Sequence, residues 1–181
     1  MRQLWSRSHS FRYFRDEAYF ELLRYIGQAS QGEQMQQEQA ILATVTGDDQ
    51  HVGFRAMIMK QAIEYNLAGC AKNKADGTVH FRLQGASDRL DSALAAIRAG
   101  TDKSSNIKVR VTEDAVNPAL SAFTVVDWTS TSRGITTPYT LVFTLRADDS
   151  ELSKSDAKDV WHQILRTTLH GDDLQKLGDD H

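Results

Sequence analysis

The chain has 181 residues, a formal net charge of −3, 40% apolar and 25% charged residues, so a sizeable core is affordable in length and composition and a disordered or collagen-like chain is excluded. No apolar run approaches the roughly 20 residues of a membrane-spanning helix, and no apolar h-region of a secretory leader stands near Met1. A single cysteine, Cys70, excludes an internal disulfide, and the compartment expected is a reducing one, the cytoplasm.

Charge is uneven along the chain. Arg2, Arg7, Arg12 and Arg15 precede the first acid, Asp16, while the tail carries Asp172, Asp173, Asp179 and Asp180. The basic start reads as a solvated surface, with a targeting segment as the competing reading. Nucleic acid is not expected as a partner of a mildly acidic chain. Phe11, Phe14, Ala18, Leu22 and Ile26 recur at helical spacing, and Gly27 ends that pattern. The Gln- and Glu-rich stretch that follows cannot bury much surface and reads as a linker. Residues 1–39 are thus expected to be a helix and linker. The aromatic stripe would dock on the chain's own sheet, on a second copy or on a protein partner.

Ala40–Thr46 reads as a strand bounded by Gly47-Asp48-Asp49. A helix is expected from Phe54 to Tyr65, burying Phe54, Met57, Ile58, Ala62 and Ile63. Leu67-Ala68-Gly69 turns the chain into a strand through Lys74, with Cys70 read as a small core residue. Asp76-Gly77 has hairpin chemistry. In Thr78–Gln84, Val79, Phe81 and Leu83 face one way and His80 and Arg82 the other. Ser87 reads as the N-cap of a helix to Ala99 that buries Leu90, Ala93, Leu94 and Ile97. Ile107–Val111 and Ala122–Trp128 read as strands. The order over residues 40–128 is βαββαβ with a final strand. It predicts an α+β, ferredoxin-like fold: an antiparallel sheet with two helices on one face.

Residues 129–181 read as an extension: a Ser/Thr-rich loop to Thr137, a strand Tyr139–Arg146, and a helix with the stripe Ala157, Val160, Trp161, Ile164, Leu165 and Leu169. Ser153 and Asp156 form a capping-box variant at its start, and Gly171 is expected to stop it. His162 and His170 lie about 12 Å apart in helical rise, too far to share a metal, and read as surface histidines. Asp48, Asp49 and His51 lack the spaced partners of a cation site.

One stretch carries chemistry. His51-Val52-Gly53-Phe54-Arg55, the helix, Leu67-Ala68-Gly69-Cys70-Ala71-Lys72-Asn73, Asp76-Gly77 and Gln84-Gly85 follow one another. This string resembles the acylphosphatase family pattern G-x-V-Q-G-V-G-F-R, helix, L-x-G-x-V-x-N, D-G, Q-G, and the likeness covers about residues 40–128. The resemblance implies a ferredoxin-like fold and metal-independent hydrolysis of acyl phosphates with no cofactor. It implies that Arg55 binds phosphate, that the turn Gln50, His51, Val52, Gly53 and Phe54 cradles it, and that Asn73 positions a water. The roles suit the residue types. A guanidinium fork can donate two bonds to phosphate oxygens, and N–H groups at a helix start favour an anion. Within the loop, Asp49 stands for a valine, His51 for a glycine, and Asp48 where the family often has a basic residue. Acids beside a bound phosphate would repel it. The alternative expectation is a module that keeps the fold and acts through protein contacts.

Overall fold

The computed structural model describes residues 37–49 and 53–178, all within one compact unit. The expected N-terminal helix, most of its linker, and Gln50, His51 and Val52 lie outside the described residues.

Alternation builds the sheet. In β3 (Val79–Ala86), Val79, Phe81 and Leu83 are buried while His80 is exposed and Arg82 half-exposed, as a two-residue side-chain period requires. Its neighbours are β1 (Glu38–Asp49) and β2 (Ala68–Asn73); β4 (Ser104–Asp114), β5 (Ala122–Ser130) and β6 (Ile135–Thr144) complete the order β4-β1-β3-β2-β5-β6. All neighbours are antiparallel except β2 and β5. The helices α1 (Phe54–Tyr65) and α2 (Ser87–Ala99) bury the residues their stripes predicted. With α3 (Lys154–Thr168) they share one apolar cluster that includes Phe81, Leu83, Phe123 and Leu141. Ile58, Ile63, Leu83 and Leu141 are fully buried, and each such side chain contributes roughly 1.5–3 kcal/mol.

The fold is therefore the ferredoxin-like βαββαβ expected. The C-terminal strand and helix enlarge it: β6 adds an edge beside β5, and α3 packs against α1 and β6. Among the described residues no helix packs on the opposite face of the sheet, where Leu42 and Val142 are exposed.

Several local expectations change. Gly47-Asp48-Asp49 continues β1 and does not end it; pairing with β4 resumes beyond a bulge at Asn106, which takes φ 55°. α2 begins at Ser87 itself, with Ala86 at the cap position and no side-chain cap bond. The stretch expected as a loop to Thr137 holds the end of β5, a 3-10 turn Thr131–Arg133 and the start of β6. Gly171 opens a short helix, α4 (Gly171–Gln175), where a stop was expected. Cys70 is exposed because β2 alternation sends Ala71 into the core and Cys70 to the opposite face. The cap at Ser153 forms: its Oγ accepts from the Asp156 N–H at 3.1 Å and donates to the Asp156 carboxylate at 2.7 Å.

Two motif residues acquire physical reasons. A Cβ on Gly69 would lie 1.8 Å from the Arg82 carbonyl oxygen, so β2 can approach β3 at that point only as glycine. The buried Gln84 amide accepts from the Asn117 N–H at 2.8 Å and donates to the Asn117 carbonyl at 2.8 Å. That pair fastens the β4–β5 crossover to the sheet.

Candidate active site

The site forms where β1 hands the chain to α1. Gly53 takes φ 71°, a left-handed conformation that suits glycine, immediately before the helix. No acid occupies the first turn of α1, so the positive end of its dipole is not neutralised from within the helix. Phe54 turns its ring into the core, where it meets Gly47; only its backbone N–H is left for a ligand.

Arg55 is 8% exposed. Its Nη1 donates to the carbonyl of Val126 at 2.9 Å and to that of Asp127. Both carbonyls lie in a β5 irregularity: Val125 pairs with Leu141 but Trp128 with Tyr139, and Asp127 takes φ 54°. The extra residue breaks the ladder there, freeing backbone acceptors for the guanidinium. Burial lowers the Arg55 pKa, and Asp127 pushes it back up; a guanidinium stays charged under such terms. Among the described residues no hydrogen bond engages Nε or Nη2.

Asn73 is the last residue of β2, exposed, at the entry to the Lys74–Thr78 hairpin. The Lys74 N–H donates to the Thr78 carbonyl at 2.8 Å, and Asp76 accepts from the Thr78 hydroxyl at 2.7 Å. Arg55, Asn73 and Gly53 line one cavity of about 500 Å³. Its other walls include Lys60, Lys103, Trp128, Arg133 and Trp161, and no aspartate or glutamate lines it among the described side chains, which do not include that of Asp49. The Trp128 and Trp161 rings meet edge to face at 6.0 Å, and Lys60 Nζ lies 5.6 Å from the Trp161 ring centroid. Burial lowers the Lys60 pKa, and Lys158 and Arg133 lower it further.

Asp48 does not line this cavity. Its carboxylate accepts from Asn106 Nδ2 at 2.7 Å, with Ser105 Oγ at 3.5 Å. That contact turns the Asp48 carboxylate toward β4. Sequence reasoning missed Lys60, Lys103, Trp128, Arg133 and Trp161 as site residues. Lys60 carried a signal: 53, 56 and 60 fall on one helical stripe with Arg55 beside it. The tryptophans carried none, since Trp161 read as part of an apolar stripe and Trp128 only as the end of a strand. Among the described residues no group of three or more His, Cys, Asp and Glu is placed to hold a metal.

Fold and cavity together define a ferredoxin-like α+β domain with a cavity at a helix N-terminus whose described charged side chains are all basic. Comparison gives that class a family. Residues 41–125 match the family model described as Acylphosphatase. The acylphosphatase of Chlorobaculum tepidum is 34% identical over 89 residues, which cover 49% of this chain and 97% of the relative. That of Bacillus licheniformis is 36% identical over 72 residues, covering 39% and 80%. Among solved structures, acylphosphatase from Bacillus subtilis is similar at 30% identity and a TM-score of 0.42, over 47% of this chain and 94% of that one. The chain belongs to the acylphosphatase family. Among the described residues no helix is long and apolar enough to cross a membrane.

Proposed function

We propose that the chain hydrolyses acyl phosphates to a carboxylate and inorganic phosphate. The observation that carries this is that Arg55 and Asn73 line one cavity, which among the described side chains has no lining carboxylate. Arg55, fixed by the Val126 and Asp127 carbonyls, presents its Nε and Nη2 to two phosphate oxygens. The N–H groups around Gly53 and Phe54 add donors at the positive end of α1. The Asn73 amide holds a water in line with the scissile bond. Water oxygen bonds to phosphorus as the P–O bond to the acyl group breaks. The carboxylate leaves with that electron pair, and a phosphate oxygen takes the water's proton. Arginine and amide donors stabilise the charge spreading over the phosphoryl oxygens. The competing idea, a fold kept for protein contacts, drew on Asp48 and Asp49; of these, the Asp48 carboxylate accepts from Asn106.

The test is hydrolysis of benzoyl phosphate by wild type, Arg55→Ala and Asn73→Ala, each checked for folding by its thermal melt. Loss of one such donor typically costs roughly 10²–10³ in turnover. Turnover no higher than the spontaneous rate in wild type, or equal in all three proteins, would sink the proposal.

A further inference from the structure

The family match ends at residue 125, and the two carbonyls that hold Arg55 come immediately after it. They are presented by one surplus residue in β5. Along β6 the burial alternates without a break from Tyr139 to Thr144, with Tyr139, Leu141 and Phe143 inward. Along β5 it does not. Val125 and Trp128 are both buried although three residues apart, a separation that a regular strand would send to opposite faces. The surplus lies between the Val125–Leu141 and Trp128–Tyr139 pairs. Asp127 absorbs it at φ 54°, a conformation that glycine, asparagine and aspartate tolerate and β-branched residues resist.

The bulge turns Trp128 inward, where its ring meets Trp161 of α3 edge to face. It also aims the Val126 and Asp127 carbonyls at a single nitrogen, Arg55 Nη1. The guanidinium is a rigid planar fork, so two acceptors on Nη1 fix the direction of Nε and Nη2 as well. We propose that Asp127 is a positioning residue: its left-handed backbone sets the plane in which Arg55 meets a phosphate. The exposed Asp127 carboxylate acts separately, through its charge on Arg55. Because β6 supplies the pairs on both sides of the bulge, a segment past the family match then governs an arginine inside it. The inference rests on the acyl phosphate reading for turnover, but the setting of Arg55 can be measured without turnover.

Asp127→Asn, Asp127→Gly, Asp127→Ala and Asp127→Val all remove the charge, and only the first two accept the left-handed backbone at low cost. Comparison within this neutral set isolates the backbone. On the full chain, calorimetry measures inorganic phosphate binding. NMR follows the guanidinium N–H resonances of Arg55, assigned by their loss in Arg55→Lys, and thermal melts establish that each variant is folded. The asparagine and glycine variants should bind phosphate within about threefold of each other and keep the slow guanidinium rotation of wild type. The valine variant should bind at least about tenfold more weakly, the scale of one charge-assisted bond, and lose that slow rotation. Should the valine variant melt below the assay temperature, the alanine variant carries the comparison, at about threefold. Valine and alanine variants that match the asparagine variant, a glycine variant as weak as valine, or a wild type that binds no phosphate would overturn the proposal. Benzoyl phosphate hydrolysis separates it from the catalytic reading. No hydrolysis by wild type, with the asparagine–valine difference in binding intact, removes the catalytic reading alone. Hydrolysis at equal rates in the asparagine and valine variants, with equal phosphate binding, removes the positioning role alone.

Discussion

Replacing Asn66 by alanine tests how the added C-terminal segment is fastened to the domain that carries Arg55. Asn66 ends α1 in the left-handed conformation, φ 54° and ψ 51°, and is 5% exposed. Its Oδ1 accepts from the Arg146 N–H at 2.8 Å, and its Nδ2 donates to the Arg146 carbonyl at 3.2 Å and to the Asp149 carboxylate at 2.9 Å. Each neutral bond is worth about 1 kcal/mol net. The bond to Asp149 is held near the same value, because that carboxylate is 66% exposed. Alanine in the left-handed region adds about 1 kcal/mol. The sum predicts a loss of about 4 kcal/mol for Asn66→Ala. Asn66→Gly keeps the backbone conformation at low strain and should lose about 3 kcal/mol. Urea unfolding checks both, as a fall in midpoint at unchanged slope. A loss under about 1 kcal/mol for alanine, or a glycine variant as stable as wild type, would refute the reasoning. The segment has other ties, since Arg146 Nη1 donates to the Ile63 carbonyl at 2.8 Å and the Leu152 N–H to that of Glu64 at 2.8 Å. Asn66→Ala should therefore loosen this junction without releasing it.

Two further outcomes are expected. Asp48→Asn keeps an acceptor for Asn106, so inhibition by inorganic phosphate should change less than about twofold and stability by under about 0.5 kcal/mol; a fivefold tightening would mean its charge acts on the site. Asp173 accepts from Lys176 Nζ at 2.8 Å and from the Tyr139 hydroxyl at 3.0 Å. The lysine bond holds its carboxyl below the usual carboxylate range, against an opposing effect of burial. A depressed folded pKa means stabilisation that is present above the unfolded value, about 3.9, and lost as pH falls through the lower folded value. The gap in melting temperature between wild type and Asp173→Asn should stay level near neutrality and close below about pH 4; a gap unchanged down to pH 2 would exclude that linkage.

Local pattern reached far into this fold. The alternation of Val79, Phe81 and Leu83 and the stripes of α1, α2 and α3 identified the buried faces, because side-chain direction follows from backbone period alone. Where local chemistry permitted two outcomes, the sequence misled. Gly47-Asp48-Asp49 has turn composition, yet β4 lay alongside to pair with it, and Asn106 supplied the bulge that kept the pairing going. Cys70 could face either way until the register with β3 set it opposite Arg82 on the face away from the helices.

The sequence by itself determined the order of elements, their buried faces, and the frame that spaces Arg55 from Asn73 across one helix and one strand. Only the tertiary structure decided what surrounds that pair. Parallel pairing of β2 with β5 brings the end of β5 alongside the strand that ends in Asn73, and β6 and α3 then set Trp161 against Trp128 and Lys60. Those neighbours are tens of residues apart in the chain. No periodicity encodes such contacts, because they depend on the order in which strands assemble beside one another.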